Sequence, residues 1–432
     1  MTPVNAPGIY TLELTCMALR IPPALHHRQF RLLWMGLAIS IAGSQMQLWA
    51  LLWHVRTLTD QPIALGGIGL ARIVPIIAFS LIGGAVADTS NRRKVLFLTQ
   101  SAMALVALAL AWLSFQERIT LWHIYALTAV QAVAISFDLP ARQALVPNLV
   151  PPKDLPNAFS LQSIALQVGS IVGPALSGMV IAYFGQPYTY LFNAVSFLAV
   201  ILALALIGPV PQQIQRAGRR RVSLSAISEG VRFITTHPII LSTMLLDFFA
   251  TFFSSANTLM PIFARDILHV GAIEYGWLSA AQSIGALIAA LAISQMEFIR
   301  RQGSVFLFSV IAFGLSTVWF GLSRVFPMAM IALVFIGASD SVSTIIRNTI
   351  RQLQTPDYIR GRMTSINQIF FQGGPQLGEV EAGVVAQFLG APLAVVTGGI
   401  GCLLAVGWVA RRWPQIKAYN GDEAIRAGAG VD

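Results

Sequence analysis

Charge is scarce in this chain of 432 residues: only 11% are Asp, Glu, Lys or Arg, against about 25% in an ordinary soluble domain. With 56% of the residues hydrophobic, too little polar surface remains to cover a water-soluble globule. In places charge is missing altogether, as in the 61 positions between Asp154 and Arg216. A membrane-spanning helix needs about 20 apolar residues, so that run accommodates two spans and a turn, which Gly185-Gln186-Pro187 supplies. Cysteine is almost absent: Cys16 lies in the N-terminal tail and Cys402 in the last apolar stretch, which excludes a disulfide framework or a cysteine-based metal site. There is no Gly-x-x-x-x-Gly-Lys-Ser/Thr phosphate loop and no His-x-x-x-His pair, so neither an enzyme nor a bound metal or cofactor is expected. His26-His27 reads as a solvated pair at the membrane interface. What is left is a polytopic membrane protein.

Twelve apolar segments lie near 30–56, 63–87, 95–115, 120–141, 157–183, 188–209, 239–264, 272–296, 303–323, 326–346, 363–389 and 391–410. The net charge of +10 would suggest nucleic acid in a soluble protein. Here the basic residues sit in short loops beside the spans, where they set topology, and no nucleic-acid partner is expected. Counted by side, 23 Lys and Arg fall with the two tails and 4 (Arg56, Arg118, Arg265, Arg324) on the other, leaving Arg72 inside a span. That imbalance predicts both termini in the cytoplasm of a bacterial-type inner membrane. An odd number of spans would break the alternation. The first 27 residues do not read as a cleavable signal peptide; Met17 is an alternative start to Met1. The expected organisation is an N-terminal tail (1–27), a first six-helix bundle (28–212), a linker loop rich in Arg and Gln (213–236), a second bundle (237–413) and a C-terminal tail (414–432).

An internal repeat supports two bundles. Shifting the sequence by 205 residues aligns 142–185 with 347–390, and nine of the 44 positions match, among them Arg142/Arg347, Pro151/Pro356, Gln167/Gln372, Gly169/Gly374, Gly173/Gly378, Gly178/Gly383 and Gly185/Gly390. Apolar composition explains Val and Gly matches more readily than the Arg, Pro and Gln pairs. Two six-helix halves in parallel topology, with the substrate site between them, are a known transporter architecture.

The loop after the second span reads Gly84-Ala-Val-Ala-Asp88-Thr-Ser-Asn91-Arg92-Arg93-Lys94. The fifth span reads Ser160, eight residues, Gly169-Ser-Ile-Val-Gly173-Pro174-Ala-Leu-Ser177-Gly178. The first is similar to the loop motif Gly-x-Leu-Ala-Asp-Arg-x-Gly-Arg-Arg of the major facilitator superfamily, with Thr89 and Asn91 in place of Arg and Gly. The second resembles the antiporter motif of its exporters, with Ser160 and Ser177 where the family has Gly. On these motifs, and on Leu259 to Arg265 and Arg360-Gly361-Arg362-Met363, the chain resembles the enterobactin-exporter and macrolide-efflux branch from Phe30 to Trp413. The resemblance implies an all-α polytopic membrane protein: 12 transmembrane helices in two pseudo-symmetric six-helix bundles. It also implies a cytoplasmic gate loop at Gly84, Asp88, Arg92 and Arg93 that latches the outward-facing state. Gly84 would permit close helix packing and Asp88 would pair with Arg or a helix N-terminus. A positive-inside signal alone would account for Arg92, Arg93 and Lys94, but not for Asp88. In the antiporter motif, Gly169, Gly173 and Gly178 allow helices to approach closely and Pro174 bends the helix; small-residue packing alone would give the same spacing. Many proton-coupled exporters carry an Arg within the fourth span, where this chain has Gln131.

Ionisable groups in hydrocarbon cost several kcal/mol and need a reason. The candidates are Arg72, Asp138, Asp247, Asp340, Glu379, Glu381 and His54. In the seventh span Asp247, Thr251, Ser254 and Thr258 share one helical face, and in the first span so do Ser40, Ser44, Gln47 and His54. Those faces, with Arg72, Gln368 and Gln372, are the expected substrate cavity; Ser and Thr bonding their own backbone would account for the hydroxyls alone. Glu379 and Glu381 differ by about 200° around their helix, so one is expected to face the cavity and titrate and the other to pair, a static pair with Arg72 being the alternative. Asp138, four residues before Arg142, predicts a local ion pair; Asp340, seven before Arg347, shares its face. The sequence therefore predicts a monomeric secondary transporter that exports a small amphipathic drug, macrolide or siderophore by alternating access. The proton gradient would be its energy source, with Asp247, Glu379, Glu381 and Asp340 as proton-coupling candidates. An uncoupled facilitator or importer, or a non-transporting sensor or lipid-handling protein on the same fold, would share these features.

Overall fold

A computed structural model describes residues 22–212, 231–255, 257–296 and 299–421. Cys16, Met17 and most of the linker lie outside the described residues. Twelve long helices follow in order: α1 Arg28–Leu58, α2 Pro62–Thr89, α3 Arg92–Phe115, α4 Leu121–Leu145, α5 Leu155–Phe184, α6 Gln186–Ile207, α7 Pro238–Phe253, α8 Ala272–Ser294, α9 Gln302–Leu322, α10 Phe326–Gln354, α11 Asp357–Leu389 and α12 Ala391–Arg412. Among the described residues, eleven stretches are long and apolar enough to cross a membrane, α7 qualifying together with the turns that extend it to Ile267. The twelfth, α11, is as long as the rest but carries Asn367, Gln368, Gln372, Gln376, Glu379 and Glu381. It packs against α2, α7 and α12, and a helix so enclosed needs no continuous apolar surface.

Local chemistry sets the helix ends. Proline opens α2, α6, α7, α10 and α12 within the first two positions, where its missing N–H costs nothing. The Asn91 side chain accepts from the Lys94 N–H to start α3. Gly185 and Gly390, a repeat pair, close α5 and α11 with φ of 92° and 81°, a backbone region open to glycine and few others. Each is followed within two residues by proline, so the repeat extends to backbone geometry.

The seventh span departs from a continuous helix. It stops at Phe253, runs through a 3-10 turn at Asn257–Leu259 and a short turn at Met260–Ile262, and ends in a π turn at Phe263–Ile267. Pro261 cannot donate to the carbonyl of Asn257 and its ring crowds that carbonyl. Thr258 therefore does not continue the face of Asp247 and Thr251.

Helix pairing repeats between the halves. Contacts of α1 with α5 and α6, α2 with α4, and α3 with α4 and α6 recur as α7 with α11 and α12, α8 with α10, and α9 with α10 and α12. The halves meet chiefly through α2 against α11 and α5 against α8. One apolar cluster runs across both halves at the end of the bundle away from residues 22 and 421, the far end, joining Trp49, Leu52, Leu65 and Tyr190 to Leu259, Phe263, Tyr275 and Leu278, and continues within the second half to Ile416 and Tyr419. At the opposite end, the tail end, the first half has its own cluster around Phe30, Leu33, Leu145 and Leu204, and the second half has another around Phe233, Ile240, Met244 and Met363. The molecule is closed at the far end and parted at the tail end. Both tails begin as packed structure: His27 pairs with Asp154 at 2.8 Å instead of standing free, and Ile416 and Tyr419 are buried against the second half, where Gly303 N donates to Tyr419 O.

Candidate functional site

The far-end closure rests on glycine crossings and a small polar set. A Cβ on Gly178 of α5 would meet the Gly276 Cα of α8 at 2.9 Å, and one on Gly383 of α11 would meet the Gly66 Cα of α2 at 2.9 Å. Because Gly178 and Gly383 are repeat mates, the two crossings are one packing solution used twice. Around them Arg56 donates to Asp266 Oδ2 (2.7 and 2.9 Å) and pairs with Asp60, and the Tyr275 hydroxyl donates to Trp49 O at 2.8 Å. The other antiporter-motif glycines, Gly169 and Gly173, press on Ile41, Ala42 and Gln45 of α1. Pro174 lies inside α5 at the α8 crossing, its carbonyl facing Gly276.

At the break in α7 a cavity of about 240 Å³ opens between elements of both halves. Thr251, Ser254 and Asp340 line it, and with them come residues the sequence did not single out for binding: Gln167 of α5, Asn257, and Gln282 and Ser283 of α8. Gln167 Nε2 donates to Ser283 O at 2.8 Å, tying α5 to α8 at the cavity wall. The repeat had marked Gln167 without giving it a role.

Other predicted residues lie elsewhere. Asp247 is 2% exposed and pairs with Arg347, itself 3% exposed, between α7 and α10; Arg351 donates to Asn348 beside them. Asp247 is thus a buried counter-ion inside the second half and does not line the cavity with Thr251. Arg142, the repeat mate of Arg347, bonds Asp138 instead (2.7 Å), as the four-residue spacing predicts, and Thr99 and Gln100 of α3 also donate to that carboxylate. Glu379 stands 4.0 Å from Arg72 across the α2–α11 contact, while Glu381, two residues on, is half-buried on another side of the helix. The side chains of Gln368 and Gln372 lie outside the described residues.

The polar face of α1 turns toward α6. Ser40, Gln47 and His54 are buried, and Gly43, on the same face, abuts Asn193 and Ser196. Gln47 donates to Gln131 Oε1 and accepts from Asn193 Nδ2, both at 2.7 Å, and His54 Nδ1 lies 2.9 Å from the Tyr190 hydroxyl. These groups knit α1, α4 and α6 together, which corrects their expected place in the cavity; Ser44 is half-buried on the adjoining surface. The cause is the glycine spacing of α1, which brings α6 close enough to enclose that face.

In the gate loop Arg92 Nε donates to Ala87 O and Arg93 Nε to Leu204 O, so the two arginines cap the ends of α2 and α6 within the first half. A Cβ on Gly84 would meet nothing within 4 Å, whereas one on Gly83 would collide with Ser136 O of α4. Close packing expected of Gly84 falls to its neighbour Gly83. The side chain of Asp88 lies outside the described residues.

Two pseudo-symmetric six-helix halves around a polar cavity define a membrane transporter of the major facilitator superfamily. The sequence profile of the transmembrane secretion effector family matches residues 22–425, and the chain belongs to that family. It is 27% identical over 327 residues to the enterobactin exporter EntS of Shigella boydii, covering 75% of this chain and 77% of that one. It is 28% identical over 289 residues to EntS of Citrobacter koseri, covering 66% and 68%. Among solved structures it resembles a bacterial homologue of the iron transporter ferroportin in an inward-facing state, with a TM-score of 0.67 and 14% identity over 91% of this chain and 99% of that one. A bacterial homologue of the lysosomal transporter Spinster, inward-facing and unoccupied, gives 0.69 and 13% over 92% and 99%. At such identities the structures speak for the fold.

Proposed function

We propose that this protein exports a small amphipathic molecule across the inner membrane by proton antiport and alternating access. The observation that carries the reading is the asymmetry of closure, with the halves fused above a polar cavity at the far end and separate at the tail end. The basic-residue count assigns the tail end to the cytoplasm, which makes this an inward-facing state able to load cytoplasmic substrate. Parting of the glycine crossings and of Arg56–Asp266, with docking of the gate loop, would give the opposite state. The names of the relatives, enterobactin exporters, support export and place a siderophore among the substrates to test. Asp340 in the cavity and Glu379 beside Arg72 are the carboxylates through which a proton and substrate would compete. Asp247 serves as the counter-ion of Arg347.

A second reading, the uncoupled facilitator, draws on one observation. Gln131, at the fourth-span position where many proton-coupled exporters carry Arg, is held in a neutral amide network with Gln47 and Asn193. Uptake of siderophores, macrolides and dyes into inside-out vesicles, with and without a protonophore, separates the two. Accumulation that the protonophore collapses is the expected outcome; equilibration indifferent to it would establish the facilitator.

A further inference from the structure

We propose that the cavity at the α7 break selects its ligand by charge, taking an organic cation and rejecting anions, with Asp340 as the counter-charge. The proposal rests on the transporter reading above and deepens it. Among the described residues Asp340 is the one ionisable residue in the cavity wall, whose other polar members are neutral amides and hydroxyls: Gln167, Thr251, Asn257, Gln282 and Ser283 among them. Among the described residues no Lys or Arg lines it. The Asp340 carboxylate makes no hydrogen bond or ion pair of its own among the described residues, whereas Asp247 pairs with Arg347 and Glu379 faces Arg72. Arg347, two turns along α10, forms its ion pair with Asp247 and reaches Asp340 through its field, without an ion-pair contact. Asn257 Oδ1 is a buried acceptor with no partner among the described residues.

A carboxylate without an ion-pair contact, set among membrane-spanning helices, attracts a cation and repels an anion, and both effects are stronger there than in bulk water. Phe313 and Pro375 supply an apolar wall against which the body of an amphipathic amine or quaternary ammonium can lie. The same electrostatics exclude a negatively charged iron chelate. If the cargo is a siderophore, it leaves in its uncharged, iron-free form.

The test is equilibrium binding to purified full-length protein in nanodiscs, which requires no flux. The probes are the fluorescent cation N-methyl dimethylaminostyrylpyridinium and its unmethylated, uncharged parent, measured where the parent is unprotonated. The wild type is expected to bind the cation at least about tenfold more tightly, a difference of about 1.4 kcal/mol. Asp340→Asn is expected to abolish that preference and Asp340→Glu to keep it, both with unchanged far-ultraviolet circular dichroism. Equal binding of the two dyes by the wild type, binding of neither, or a preference that survives Asp340→Asn overturns the proposal. If vesicle flux fails while the cation preference holds, the export reading falls and this one stands.

Discussion

At the scale of single residues, buried charges in this protein are distinguished by their partners. Asp247 and Arg347 are both enclosed, and removing one member of such a pair leaves the other charge uncompensated in a low-dielectric interior, at a cost of about 3–5 kcal/mol. Asp247→Asn is therefore expected to lower the thermal unfolding temperature in detergent markedly. The double variant Asp247→Asn/Arg347→Gln should recover part of that loss. A single variant as stable as the wild type would return Asp247 to the list of free titrating groups. Asp340, which forms no ion pair among the described residues, should tolerate Asp340→Asn with little change in stability.

Among elements, the α5–α8 and α2–α11 crossings decide which end of the molecule is closed. Gly383 and Gly66 meet with no room for a side chain, so Gly383→Leu forces α11 away from α2 at the far end. The far end is where Arg118 and Arg324 lie, one in each half. Spin labels at Arg118→Cys and Arg324→Cys should report a longer distance in the Gly383→Leu background than in the wild type. An unchanged distance would mean that the crossing does not set the closure. Gly84 has open space beside it, and Gly84→Ala should leave this closed-far-end state undisturbed.

For the molecule as a whole, topology follows from where the basic residues fall. An impermeant maleimide added to intact cells should label Arg118→Cys and leave Lys417→Cys unlabelled until the membrane is permeabilised. The reverse pattern would turn the transporter over, and with it the sense of transport inferred from the closed end.

Much of this was legible in the sequence because it depends on composition and spacing. Scarce charge and apolar runs of helix length determined twelve spans, and the 205-residue repeat determined two related halves, down to the matching glycine turns at Gly185 and Gly390. The four-residue spacing determined the Asp138–Arg142 pair. Contacts between distant helices were decided only by the tertiary structure. Periodicity places Ser40, Gln47 and His54 on one face of α1 but does not say whether that face meets water or α6. It puts Asp247 inside a span and Arg347 among the basic residues at the tail end, without revealing that the two meet, 100 positions apart in the chain. A helical pattern also runs on past Phe253, whereas the structure ends α7 there and places the cavity beside the break. Side-chain periodicity is a property of one helix; which face is enclosed, and which charge finds its counter-ion, depends on how closely glycines let other helices approach.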